Sequence, residues 1–130
     1  MTSAFTFQGS ASNLLSKVLT TTSPTIIPPT DQTGQYNLVW FRCNEYAGGT
    51  ATLTVELYDV ANTTSYYLGS GGFTWNAKAL TAKQSVFFDD GYAIPNNWQL
   101  RVTASVANNV QITGLYVGKQ AGTQWRPTGA

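Results

Sequence analysis

A chain of 130 residues, 42% hydrophobic and 13% aromatic, is long enough to bury the core of one domain. Charge is sparse, at 10% of residues against roughly 25% in ordinary soluble domains. The net charge of +1 carries no basic stripe of the kind that direct nucleic-acid binding uses. With no histidine and one cysteine, the chain lacks the common base of nucleophilic catalysis, most zinc ligands and any intrachain disulfide.

In chain order, residues 1–13 are small and polar apart from Met1, Phe5 and Phe7, and read as an N-terminal arm. A first strand is expected over residues 14–22 and a short one over Thr25–Ile27, ended by Pro28-Pro29 because proline cannot donate to a ladder. Residues 31–35 read as a turn around Thr33-Gly34. Residues 36–44 form a strand in which Leu38, Val39, Trp40 and Phe41 are consecutive, so both faces are expected to be covered. Ala47-Gly48-Gly49 turns the chain into a hairpin partner, residues 50–59.

After a turn at residues 62–64, short strands are expected at 65–68 and 73–75, separated by a flexible glycine-rich loop at 69–72. Residues 77–82 suit a turn or one helical turn. A strand over 84–88 leads into Asp89-Asp90-Gly91. A closing hairpin pairs 98–106 with 110–117, and Gly114 marks a bulge or a close backbone contact where the phase of that last strand slips. Residues 119–130 have no strand pattern and read as a tail carrying Trp125 and Arg126.

Two segments alternate apolar and polar residues almost without error, which fits strands with one buried and one wet face. In residues 50–58, Ala51, Leu53, Val55 and Leu57 oppose Thr50, Thr52, Thr54, Glu56 and Tyr58. In residues 98–106, Trp98, Leu100, Val102, Ala104 and Val106 oppose Gln99, Arg101, Thr103 and Ser105. The expected fold is all-β, a single β-sandwich or jelly roll of about eight short antiparallel strands over residues 14–118, with extended N- and C-terminal arms.

Reactive chemistry is thin. Asp89-Asp90-Gly91 could offer calcium two carboxylates, but the EF-hand spacing is missing and Asp-Gly is a common turn pair. Glu45, Glu56, Asp59, Asp89 and Asp90 show no readable spacing of a glycosidase pair. Cys43, in an apolar strand without a histidine base, reads as a small buried hydrophobe. Gly69-Ser70-Gly71-Gly72 lacks the lysine and helix of a phosphate loop. No catalytic, cofactor-binding or metal-binding residue is expected, and the chain reads as a non-enzyme without cofactors. No apolar run approaches a membrane span, and the first twelve residues lack the basic start and apolar stretch of a secretory signal, so synthesis in a cytoplasm is expected.

The aromatics divide into two groups. Tyr66, Tyr67, Trp75 and Tyr92 could stack on sugars, or they could serve packing and interfaces, where such rings are enriched. Adjacent Tyr66 and Tyr67 send their rings to opposite faces, so one is expected to be exposed. Phe5, Phe7, Trp125 and Arg126 sit in segments too rich in small residues to build their own core. They are the candidate partner contacts, ordered by a neighbour or folded back onto the sandwich. A surface rich in Thr, Ser, Asn and Gln suits such contacts, because uncharged polar groups cost less to desolvate than ions.

The order Thr25-Ile26-Ile27-Pro28, the apolar strand ending at Asn44, the glycine hairpin into Leu57, Tyr67-Leu68, Asp89-Asp90-Gly91 and the closing hairpin resembles that of small bacteriophage virion proteins. The resemblance is one of strand order and covers most of the chain between Thr25 and Gly118. It implies an auxiliary capsid decoration or cement protein on the virion surface, binding the major capsid protein and copies of itself as a homotrimer. The alternative is a glycan-binding module of a phage fibre or tail, or a head–tail component. Neither reading involves direct nucleic-acid or membrane binding.

Overall fold

A computed structural model describes residues 10–28 and 35–119. Twelve strands form among them: β1 (Ser10–Val18), β2 (Thr25–Ile27), β3 (Tyr36–Glu45), β4 (Ala51–Asp59), β5 (Thr64–Tyr67), β6 (Gly69–Ser70), β7 (Phe73–Thr74), β8 (Lys78–Leu80), β9 (Ser85–Phe88), β10 (Tyr92–Ile94), β11 (Trp98–Ala104) and β12 (Val110–Lys119). They make two principal antiparallel sheets and one small hairpin. The first sheet runs β1-β12-β3, with β9 and β10 lying end to end along the far side of β3. The second runs β2-β11-β4, with β5 and β8 end to end along β4. β6 and β7 pair with each other.

The inward residues of both sheets enter one cluster. Leu15, Leu38, Phe41, Cys43, Val110 and Ile112 come from the first sheet, and Leu53, Val55, Leu100 and Val102 from the second. The molecule is therefore a β-sandwich, as the two alternating segments predict. β4 and β11 are direct neighbours, with Val55 opposite Val102 and Leu57 opposite Leu100, so their apolar faces coincide. Phe41 and Phe88, neighbours across β3 and β9, stack at 4.6 Å in the middle of that core.

Several elements differ from the sequence reading. β1 starts at Ser10, inside the segment read as an arm, and ends at Val18. β3 is covered on one face: its buried residues alternate with exposed or half-buried ones, and Val39 is 41% exposed. The run of four apolar residues arises because the strand changes phase. Leu115 faces Trp40 while Tyr116 faces Leu38, so Val39 is an extra residue in β3.

The bulge thus lies on β3, and β12 keeps its phase, with Val110, Ile112 and Gly114 all buried. Gly114 makes the close contact expected of it: a Cβ there would lie 2.7 Å from the Trp40 carbonyl oxygen and 2.9 Å from Phe41 Cβ. Residues 69–72 form the tight β6–β7 hairpin, with Gly71 and Gly72 both at positive φ. Residues 78–80 are a strand held by β4, and β10 is a further short strand, paired with the start of β3. β11 ends at Ala104, and Val106 is exposed beyond it.

Candidate functional site

Phe5, Phe7, Trp125 and Arg126 lie outside the described residues. The four aromatics considered for sugar stacking are not brought together. Tyr66 and Tyr67 belong to β5 in the second sheet, whereas Tyr92 belongs to β10 in the first. Tyr66 and Tyr67 are both exposed; Tyr66 stacks on Trp98 at 5.6 Å at the rim of the core. Tyr92 is half-buried with its ring edge-on to Phe41, and burial together with Asp90 and Asp89 holds its phenol above the ordinary value. Trp75 is 3% exposed, so its faces are spent on packing and it offers no platform.

Trp75 instead anchors the β6–β7 hairpin. Its ring enters the core, and its indole N–H donates to the Ser70 carbonyl at 3.1 Å. Its backbone N–H donates to the Leu68 carbonyl and its own carbonyl accepts from Val55, whose carbonyl in turn accepts from Leu68. This ring of bonds ties the base of the hairpin to β4. The tip then leans across the gap between the two sheets, where the Ser70 hydroxyl donates to the Phe87 carbonyl on β9.

Between hairpin and β9 lies a groove of about 390 Å³, within the range of small ligand sites. One wall is Ser70, Gly71, Phe73 and Trp75, and the other is Gln84, Ser85, Val86 and Phe87. Phe73 is 57% and Phe87 55% exposed, two large apolar rings open to solvent beside one groove. Each carries a cation: Lys78 Nζ lies 4.3 Å from the Phe73 ring centre, and the Arg42 guanidinium 5.9 Å from that of Phe87. Gln84 is fixed by accepting from the Thr81 N–H and hydroxyl, and Ser85 donates to the Asn44 side-chain oxygen at 2.6 Å. The site combines apolar rings, a few oriented polar groups and a strand edge. Chemically, that set offers apolar contact and main-chain hydrogen bonding.

Other concentrations of polar chemistry are structural. Glu45, 1% exposed at the end of β3, accepts from the backbone N–H of Gly48 at 2.8 Å, Gly49 at 3.1 Å and Lys83 at 3.0 Å. Those bonds, that from Lys83 foremost, hold its carboxyl below the ordinary value. It pins the β3–β4 turn and the β8–β9 turn together. Asp59 binds the Asn62 side chain at 2.7 Å and orders the turn after β4. Cys43 is fully buried, which pushes its thiol well above the usual range. Among the described residues, no three His, Cys, Asp or Glu side chains gather where they could hold a metal ion.

On the outer face of the second sheet, Arg101 stacks on the Tyr58 ring at 3.7 Å and donates to Gln99 at 3.0 Å, with Tyr67 opposite Glu56 one row away. Period-two patterning marks these residues as outward, but their stacking depends on cross-strand register that spacing does not reveal. The same holds for Phe73 and Phe87, which are 14 residues apart and meet only because the hairpin folds over. The chain matches no protein-family model, and no curated protein shows significant similarity to it.

Proposed function

We propose that this chain is a structural virion protein of a bacteriophage, an auxiliary capsid protein that decorates or cements the shell through contacts with the major capsid protein and with copies of itself. The observation that carries the reading is the groove between the β6–β7 hairpin and β9. Its two exposed phenylalanines and open strand edge form a docking surface, on a sandwich otherwise poor in charge. Many weak contacts of this kind gain strength on a lattice, since each one made raises the effective concentration for the next.

The path of the chain fits. With β5 to β8 taken as one row and β9 to β10 as another, eight rows lie in the orders 1-8-3-6 and 2-7-4-5. We read this as a jelly roll, a fold used by capsid proteins. Quantitative mass spectrometry of purified virions tests the function. Many copies per particle are expected, whereas absence from the particle would overturn it.

The second reading, a glycan-binding module of a fibre or tail, draws support from the Tyr58–Arg101 stack beside Tyr67 and Gln99. Planar rings with oriented hydrogen-bonding groups are what sugar faces require. A few copies per particle, together with glycan-array binding lost in Tyr58→Ala, would favour it over decoration.

A further inference from the structure

We infer that the free edge of β9 is the docking site for the segment around Phe5 and Phe7 of a second copy of this chain. The inference rests on the self-association part of the function proposed above and names the surfaces that perform it. β9 is paired on one side only. Gln84 gives its carbonyl to Glu45 N–H, and Val86 and Phe88 lie opposite Cys43 and Phe41. By the alternation of an antiparallel ladder, Ser85 and Phe87 therefore turn their backbone groups away from β3. On that side the Ser70 hydroxyl takes the Phe87 carbonyl, and no described strand pairs with β9 there. The Phe87 N–H and both backbone groups of Ser85 have no backbone partner among the described residues, and such an edge flanked by exposed rings is the setting for strand addition, in which main-chain bonds give affinity and alternate side chains fill flanking pockets.

The sequence Ala4-Phe5-Thr6-Phe7-Gln8 has the matching pattern. Two phenylalanines at i and i+2 fall on one face of an extended segment, facing the same way towards Phe73 and Phe87. Reach makes the contact intermolecular. Ser10 pairs with Lys119, next to the Gly118–Tyr36 pair, while Phe87 pairs with Arg42 towards the other end of β3. A strand added outside β9 lies four strand spacings from β1, about 19 Å, and a similar distance along the strands, roughly 25 Å in all. Phe7 and Phe5 stand three and five residues before Ser10, so they reach at most about 11 and 18 Å from it. Neither arrives at the groove of its own chain. Because donor and acceptor are different surfaces, the contact is heterologous and closes into a ring or runs on as a chain of copies.

Complementation in solution tests this without virions. The intact chain should self-associate by sedimentation velocity. Phe5→Ala/Phe7→Ala removes the donor and Phe87→Asp the acceptor, and each should weaken association at least about tenfold. Phe87 is exposed, so both proteins should keep a cooperative thermal transition. Mixed together, the two variants should form a one-to-one dimer, because each retains what the other lacks. A monomeric intact chain, a mixture that stays monomeric, or variants that associate like the parent would overturn the docking. In the last case self-association stands and only this route to it fails, whereas the virion reading is decided separately by particle composition.

Discussion

Glu45 shows how a single side chain can order one end of the sandwich. Two of its donors lie 3 and 4 positions away in the Gly48-Gly49 turn, but the third, Lys83, is 38 positions away and is brought to it only by the fold, so spacing alone does not mark the residue. Because these bonds favour the charged form, its folded pKa lies below the unfolded value of 4.5. The unfolded chain then binds the proton more readily. The stability Glu45 contributes is present above about pH 4.5 and is lost as pH falls through the folded value. Glu45→Gln should melt at a lower temperature at neutral pH, since an amide N–H₂ replaces an acceptor facing N–H donors. The gap should narrow in acid; parallel melting curves across that range would refute this role. Gly114 is a second such position. Gly114→Ala drives a Cβ against the Trp40 carbonyl and the Phe41 side chain, neither of which can yield cheaply. A loss of about 1–3 kcal/mol in urea unfolding is expected.

At the scale of elements, the long strands are legible from their period, and of the short ones β2, β5, β7 and β9 fall close to where the sequence puts them while β6, β8 and β10 do not. β4 and β11 have enough residues for a period of two to stand out, and the sandwich follows from them. β6, β8 and β10 have two or three residues each and no period to read; their partners, β7, β4 and β3, define them. The bulge in β3 misled for a different reason. One extra residue places apolar side chains consecutively, which mimics a strand buried on both faces. The β6–β7 hairpin looked like a loose glycine loop because its anchor, Trp75, follows it and acts through tertiary contact. Trp75→Ala should therefore cost about 3–5 kcal/mol, whereas Phe73→Ala on the same hairpin should stay within about 0.5 kcal/mol. Equal losses in the two variants, measured by denaturant unfolding, would reject the anchor.

For the whole molecule, the consequence of the topology is that neither sheet has a core of its own. Successive rows pass from one sheet to the other except at β4 and β5, the first described strand pairs with the last, and the fully buried Leu53 and Ile112 from opposite sheets belong to one cluster. A lesion in either sheet should therefore be felt in both. Leu53→Asp or Leu100→Asp puts an unpaired carboxylate at the centre of the shared core and should abolish folding. The milder Leu53→Ala should fold, at a cost of about 2–5 kcal/mol. Native-state hydrogen exchange can then compare Val102 in β11, the direct neighbour sheet strand of the lesion, with Ile112 in β12 on the far side. If the sandwich opens as one unit, both amides lose the same protection free energy, equal to the global loss. A drop at Val102 with Ile112 unchanged would show that the first sheet stands alone, and the account of one core shared between the sheets would fail.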